Sequence, residues 1–152
     1  MFDWLLRISA LVALACAQSV VVYPPQGAIE GRYDDEGTIA FLGIPFAEPP
    51  VNERRWRKPV PKAPWSGTDP LPAFEFQKDC AQRPNGFAPT SSEDCLFLQV
   101  WTPKVTEADL PVQVWHYGGS FLNGSTSYPM YNGAKVAREN NGSYSCCECL
   151  CG

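Results

Sequence analysis

The sequence predicts a mixed α/β chain, with strands first and one short helix near the C-terminal end, on three observations. Segments rich in β-branched and aromatic residues alternate with proline-marked or acidic turns over residues 20–46. A nearly uninterrupted apolar run, LFLQVW at 96–101, is followed by an alternating one, PVQVWHYGG at 111–119. The one stretch bracketed by helix start and stop signals is NGAKVARENNG at 132–142.

The first residues, MFDWLLRISALVALACAQS, place Arg7 before an apolar run from Ile8 to Ala17, with small residues at Ala15 and Ala17. This is the pattern of a secretory signal peptide, residues 1–17, cleaved after Ala17. An uncleaved anchor is the alternative reading. The apolar core is shorter than the roughly 20 residues of a membrane crossing, so no membrane span is expected. Secretion places the remainder in an oxidising, extracellular compartment.

VVVYP (20–24), GAIEGRY (27–33) and TIAFLGIPF (38–46), separated by Pro or by the acidic turn DDEG, fit a small antiparallel meander. From Pro45 to Pro89 stand ten of the chain's 15 prolines, which excludes a long helix there because each removes a backbone donor and fixes φ. Phe46, Trp56, Trp65, Phe74 and Phe76 carry more aromatic surface than a solvated linker keeps, so this region is expected to pack on the core as ordered loop.

The run 96–101 reads as a strand covered on both faces. In the next strand Val112, Val114 and His116 point one way and Gln113, Trp115 and Tyr117 the other. The helix is expected to begin near Gly133 and to stop at Asn140, Asn141 and Gly142. In an oxidising compartment Cys80 and Cys95, which stand alone in ordinary sequence, read as one disulfide worth up to about 3 kcal/mol. A net charge of -4 offers no broad basic surface, and RRWRK at 54–58 is read as solvated surface, so no nucleic-acid partner is expected.

Four stretches taken together, GIPFAEPP (43–50), RRWRKPVPKAPWSG (54–67), SEDCLFLQVWTP (92–103) and PVQVWHYGGSFLNGS (111–125), resemble in order and spacing the amino-terminal part of a type B carboxylesterase, the group of fungal lipases and cholinesterases. The resemblance implies an α/β-hydrolase fold, of which residues 18–140 supply the N-terminal portion: a mostly parallel sheet with helices on both faces. It implies a small-molecule carboxylic-ester substrate, no cofactor and no metal.

It also implies that YGGSF forms an oxyanion hole, with the backbone N–H groups of Gly119 and Ser120 as donors and Gly118 permitting the turn. Such a site needs preorganised N–H donors, each worth about 3–4 kcal/mol of barrier. By the same resemblance Cys80–Cys95 matches the family's first disulfide, and Arg55 with Glu93 forms an ion pair tying the proline-rich loop to the start of the strand at 96. Buried, that pair would act as an orientation device. Asn123 and Asn141 begin N-G-S sequons, with Asn141 the expected glycan acceptor because a glycan at Asn123 would obstruct the site.

His116, the only histidine, is expected to be packed and hydrogen-bonded inside its strand, and Ser120 is not a nucleophile, since Leu122 stands where G-x-S-x-G requires glycine. Full-length members of the family are several times longer and carry the elbow serine, the acid and the base after the stretch resembled here, so the resemblance implies that all three are absent, leaving a truncated secreted ester hydrolase inactive on its own. The alternatives are a non-catalytic binding or adhesion-like module of the same fold and a small disulfide-bonded secreted protein.

Residues 141–152, NGSYSCCECLCG, do not continue into the β-branched strand the resemblance calls for. They are read as a non-family tail, an artefact of translation or of the gene model. Metal binding, lipidation or intermolecular disulfides at Cys146, Cys147, Cys149 and Cys151 are the competing readings. Without the missing strands, the edges and apolar faces of the two late strands are expected to meet water.

Overall fold

The computed structural model of the chain describes residues 19–65, 67–82, 91–103, 109–120 and 122–147. The expected signal peptide, Cys149 and Cys151 lie outside the described residues.

The meander forms as the sequence predicts. Strands β1 (Ser19–Val22), β2 (Ile29–Tyr33) and β3 (Ile39–Pro45) pair antiparallel in succession. The turn between β2 and β3 is closed by Asp34, whose carboxylate accepts the Glu36 and Thr38 N–H groups at 3.0 and 2.9 Å. An Asp side chain there substitutes for backbone acceptors that a tight reversal leaves out of reach.

Three two-residue strands follow: β4 (Leu71–Pro72), parallel to β2, and the parallel pair β5 (Asp79–Cys80) and β6 (Ser91–Ser92). Strand β7 (Phe97–Thr102) adds antiparallel to β3, with a register shift between Phe41 and Ile44. Strand β8 (Val112–His116), the helix α1 (Ala134–Asn140) and strand β9 (Ser143–Cys147) complete the chain. The sheet order is β1-β2-β3-β7-β9-β8, with β4 beside β2. Only the β2–β4 and β8–β9 pairings in it are parallel, so this portion of the fold is mainly antiparallel.

β3 alternates between two cores. Ala40 and Leu42 face α1, where they bury with Trp101, Ala134, Ala137 and Tyr144, while Ile39 and Phe41 face the other side with Ile29 and Ala73. A strand apolar at every position is thus sandwiched, as its unbroken pattern requires. The helix ends by a Schellman arrangement, with Asn141 in the left-handed region (φ 46°), its N–H directed to Arg138 and the Gly142 N–H to Ala137 at 3.2 Å.

The proline-rich region holds one short 3-10 turn (Asn52–Arg54) and is clasped to β3's end by backbone bonds from Glu48 to Val60 and from Lys62 to Phe46. The Glu48 carboxylate accepts the Ala63 N–H and the Lys62 ammonium, both at 3.0 Å. The Ala63 N–H first, then Lys62, holds the Glu48 carboxyl below the usual glutamate range. Not all of the expected aromatics pack inward. Trp65 donates its indole N–H to Ala28 at 2.9 Å and Phe74 is half-buried, but Phe46 and Phe76 are exposed, and Trp56 is 80% exposed and carries the Arg55 guanidinium 5.6 Å over its ring. An arginine-capped ring tolerates water on its other face.

Two further expectations are corrected. Residues 143–147 form a strand after all. β9 inserts between β7 and β8, antiparallel to the first and parallel to the second, because ladder pairing uses backbone groups that every residue here carries. Its anchor is Tyr144, buried at 6% exposure against Trp101. His116 is exposed, since β8 is the outermost strand of this sheet and all five of its residues face solvent.

Candidate functional site

The glycine-containing segment leaves β8 at its C-terminal end. Ladder pairing stops at His116, opposite Cys147, so residues 118–120 lie outside the sheet's hydrogen-bonding pattern. The Gly119 carbonyl accepts the N–H groups of Leu122 at 2.9 Å and Asn123 at 3.3 Å, folding the chain back in one tight turn. A trans peptide holds its C=O and N–H on opposite sides. With the Gly119 carbonyl turned into the loop, the Ser120 N–H of the same peptide group points out of it. Among the described residues no backbone acceptor is bonded to the N–H of Gly119 or Ser120. Gly118 and Ser120 are exposed and Gly119 is half-buried.

Glycine is required at 119. Its φ is 158°, and a Cβ there would lie 1.6 Å from the Asn123 carbonyl oxygen. Ser120 takes up a left-handed conformation at φ 55°, which an L-residue other than glycine adopts at a cost of about 1–2 kcal/mol. The turn continues to Gly124, whose Cα approaches the Tyr117 ring so closely that a Cβ would sit 2.3 Å from it. Tyr117 in turn stacks on Tyr131 at 6.2 Å.

Beyond Gly124 the segment is held by residues that the sequence reading left unassigned. Gln82 donates its amide N–H to the Gly124 carbonyl at 2.7 Å and accepts the Gly124 N–H at 3.0 Å. Asp79 accepts the hydroxyls of Ser125 and, at 3.2 Å, Ser127. Gln99, 1% exposed, accepts the Gly43 N–H at 2.5 Å in the β3 bulge and donates to Thr126 at 3.1 Å. Gln99 alone carried a legible signal: an amide in an otherwise apolar, covered strand must find partners.

The Cys80–Cys95 disulfide forms, with the two Cα atoms 5.0 Å apart, and sits between Asp79 and Gln82 on one side and β7 on the other. Arg55 and Glu93 meet at 2.7 Å, yet their side chains are 56% and 40% exposed, so the pair is a surface contact worth about 0–1 kcal/mol and not a buried orienting one. Asn123 and Asn141 are both exposed; Ser125, which completes the first sequon, is fully buried. No group of three or more His, Cys, Asp or Glu side chains that could hold a metal occurs among the described residues, and no helix among them is long and apolar enough to cross a membrane.

An α/β-hydrolase framework, represented by its N-terminal strands, is what this fold shares with known structures. The Geobacillus stearothermophilus carboxylesterase superimposes at a TM-score of 0.74 with 34% identity over 84% of this chain and 26% of its own. A PNB esterase gives 0.75 at 34% identity over the same shares. In sequence, the fumonisin B1 esterase of Sphingopyxis macrogoltabida is 40% identical over 145 residues, 90% of this chain and 26% of that protein. The acetylcholinesterase of Electrophorus electricus is 42% identical over 117 residues, 68% of this chain and 18% of that protein. Residues 18–141 match the model of the carboxylesterase family, and the chain belongs to that family. It spans about a quarter of the length of the first of these relatives.

Proposed function

We propose that this chain carries the oxyanion-binding turn and the N-terminal sheet of a secreted hydrolase of small carboxylic esters, and that these 152 residues do not turn over an ester by themselves. The observation that carries the reading is the peptide pair at Gly119 and Ser120: N–H groups outside the ladder, one turned outward because its partner carbonyl is tied into the loop. Oxyanion stabilisation requires donors fixed before the charge develops, since donors that must reorient during the reaction lose much of their effect. At Gly118 a Cβ would meet open space and φ is not positive, so the turn does not itself require glycine there. The relatives found in sequence are a fumonisin B1 esterase and an acetylcholinesterase, which supports an ester-hydrolysing parent.

Secretion is supported by the N-terminal sequence pattern and fits the Cys80–Cys95 bridge. Of the two sequons we assign the glycan to Asn141, at the helix end, because Asn123 lies on the turn itself and its Ser125 is buried. The Arg55–Glu93 contact links the proline-rich loop to the disulfide segment as a surface tie. We read the segment after Asn141, where the match to the family model ends, as a non-family tail that keeps a strand in the sheet.

Two assays test this. Residues 18–152 should give no hydrolysis of a short-chain p-nitrophenyl ester above background; a rate abolished by a serine-directed phosphonate would overturn the proposal. Residues 111–128 grafted into the Geobacillus carboxylesterase should retain activity, and Gly119→Ala in the graft should lower kcat by about 10²–10³ with little change in KM. An unchanged kcat assigns the turn to the non-catalytic module instead.

A further inference from the structure

We infer that Gln82 is a positioning residue for this turn, fixing through Gly124 the direction in which the Gly119 and Ser120 N–H groups point. Its importance to catalysis rests on the oxyanion reading above; the geometry does not. The chain between Gly119 and Gly124 is short and closed at one end by the Leu122 and Asn123 bonds to the Gly119 carbonyl. At the other end the Gly124 peptide groups are gripped from both sides by a single side-chain amide, carbonyl to N–H at 3.0 Å and N–H to carbonyl at 2.7 Å. A side-chain amide presents a donor and an acceptor side by side, which matches this paired geometry.

Gln82 is itself immobilised. Its Nε2 also donates to the Cys80 carbonyl at 3.1 Å, two residues away, next to the Cys80–Cys95 disulfide. The neighbouring Asp79 holds Ser125 and Ser127, so the turn's exit is attached to a covalently braced segment about 40 residues earlier. The glycines allow the turn to be this tight, but permissiveness at Gly119 and Gly124 does not choose one orientation. Releasing the Gly124 end frees the 119–124 loop to rotate, and the Gly119 carbonyl with it; the Ser120 N–H follows because the peptide is planar.

Amide hydrogen exchange on the full chain, read by NMR, tests this with Gln82→Met and Gln82→Glu. Methionine keeps the stem's volume and removes all three bonds, the two to Gly124 and the one to the Cys80 carbonyl; glutamate keeps the acceptor for the Gly124 N–H and loses the donors. Gln82→Met should speed exchange at Leu122, Asn123 and Gly124 by about tenfold or more, as expected for loss of the two hydrogen bonds to Gly124, while Ala40 and Trp101 in the central ladder stay within about twofold. Gln82→Glu should restore protection at Gly124 and leave Leu122 and Asn123 between the two. Wild-type exchange at Leu122 and Asn123 in Gln82→Met overturns the inference, and so does equal acceleration at Ala40 and Trp101, which would mark Gln82 as a general stabiliser. These rates do not depend on ester hydrolysis, so a failed graft sinks the oxyanion reading and leaves this one standing.

Discussion

β3 and β8 are both short apolar strands rich in branched and aromatic residues, and they meet opposite surroundings. Ile39, Ala40, Phe41 and Leu42 of β3 are buried between β2 and β7, with packed side chains on both faces; Val112, Val114 and Trp115 of β8 are 64%, 54% and 40% exposed at the sheet's outer edge. Residue type sets what a strand gains if it is covered, and neighbours decide whether it is. The disulfide, the proline-rich loop and α1 all gather around β3 and β7. β8 is held by β9 along one side, and the turn that leaves it is steadied from the disulfide segment.

The contrast breaks most visibly at the central ladder. Trp101→Ala removes the largest fully buried side chain and should cost about 3–5 kcal/mol in urea unfolding, while Val114→Thr in β8 should change stability by less than about 0.5 kcal/mol. A comparable loss from both substitutions would mean that β8 is covered in solution. Replacing Cys80 and Cys95 together by Ala should cost up to about 3 kcal/mol for a bridge across a separation of 15 residues, measured by the shift in urea midpoint against the oxidised chain.

Acid sharpens the comparison within the loop that braces β3. The Glu48 carboxyl titrates below its ordinary value when folded, so its contribution is present above the unfolded glutamate range, about 4.3, and is lost as pH falls through the lowered folded value. Glu48→Gln should therefore flatten the acid limb of a stability–pH curve and leave β8 exchange rates unaltered; an unchanged acid limb refutes the assignment. The smallest effect is expected at Arg55→Ala, about 0–1 kcal/mol and diminished by salt, because the Glu93 contact is exposed.

Much of the local structure was legible in the residues. The meander followed from β-branched runs broken by Pro and by DDEG, and α1 lies between Gly133 and Asn141 because Ala, Lys, Val, Arg and Glu continue a helix that the left-handed Asn141 then ends. The disulfide was legible once two isolated cysteines were read in an oxidising compartment. The exposure of His116 and Trp56 was not, because apolar or aromatic company in sequence does not specify company in space. Nor was β9: Ser, Tyr and Cys give a weak strand signal, and the segment is drawn into the sheet by the backbone groups of β7 and β8 on either side.

The sequence by itself determined where the chain turns, which segments extend, where the helix stops, and that a glycine pair follows the strand at 112–116. Those outcomes depend on steric preferences and side-chain caps acting over a few residues. Only the tertiary structure decided that Gln82 grips Gly124 at a separation of 42 residues and that Gln99 bridges the β3 bulge, 56 residues away, to Thr126. A buried polar group takes whatever partner the folded chain delivers to it, and that delivery is a property of the assembled sheet and not of any one segment.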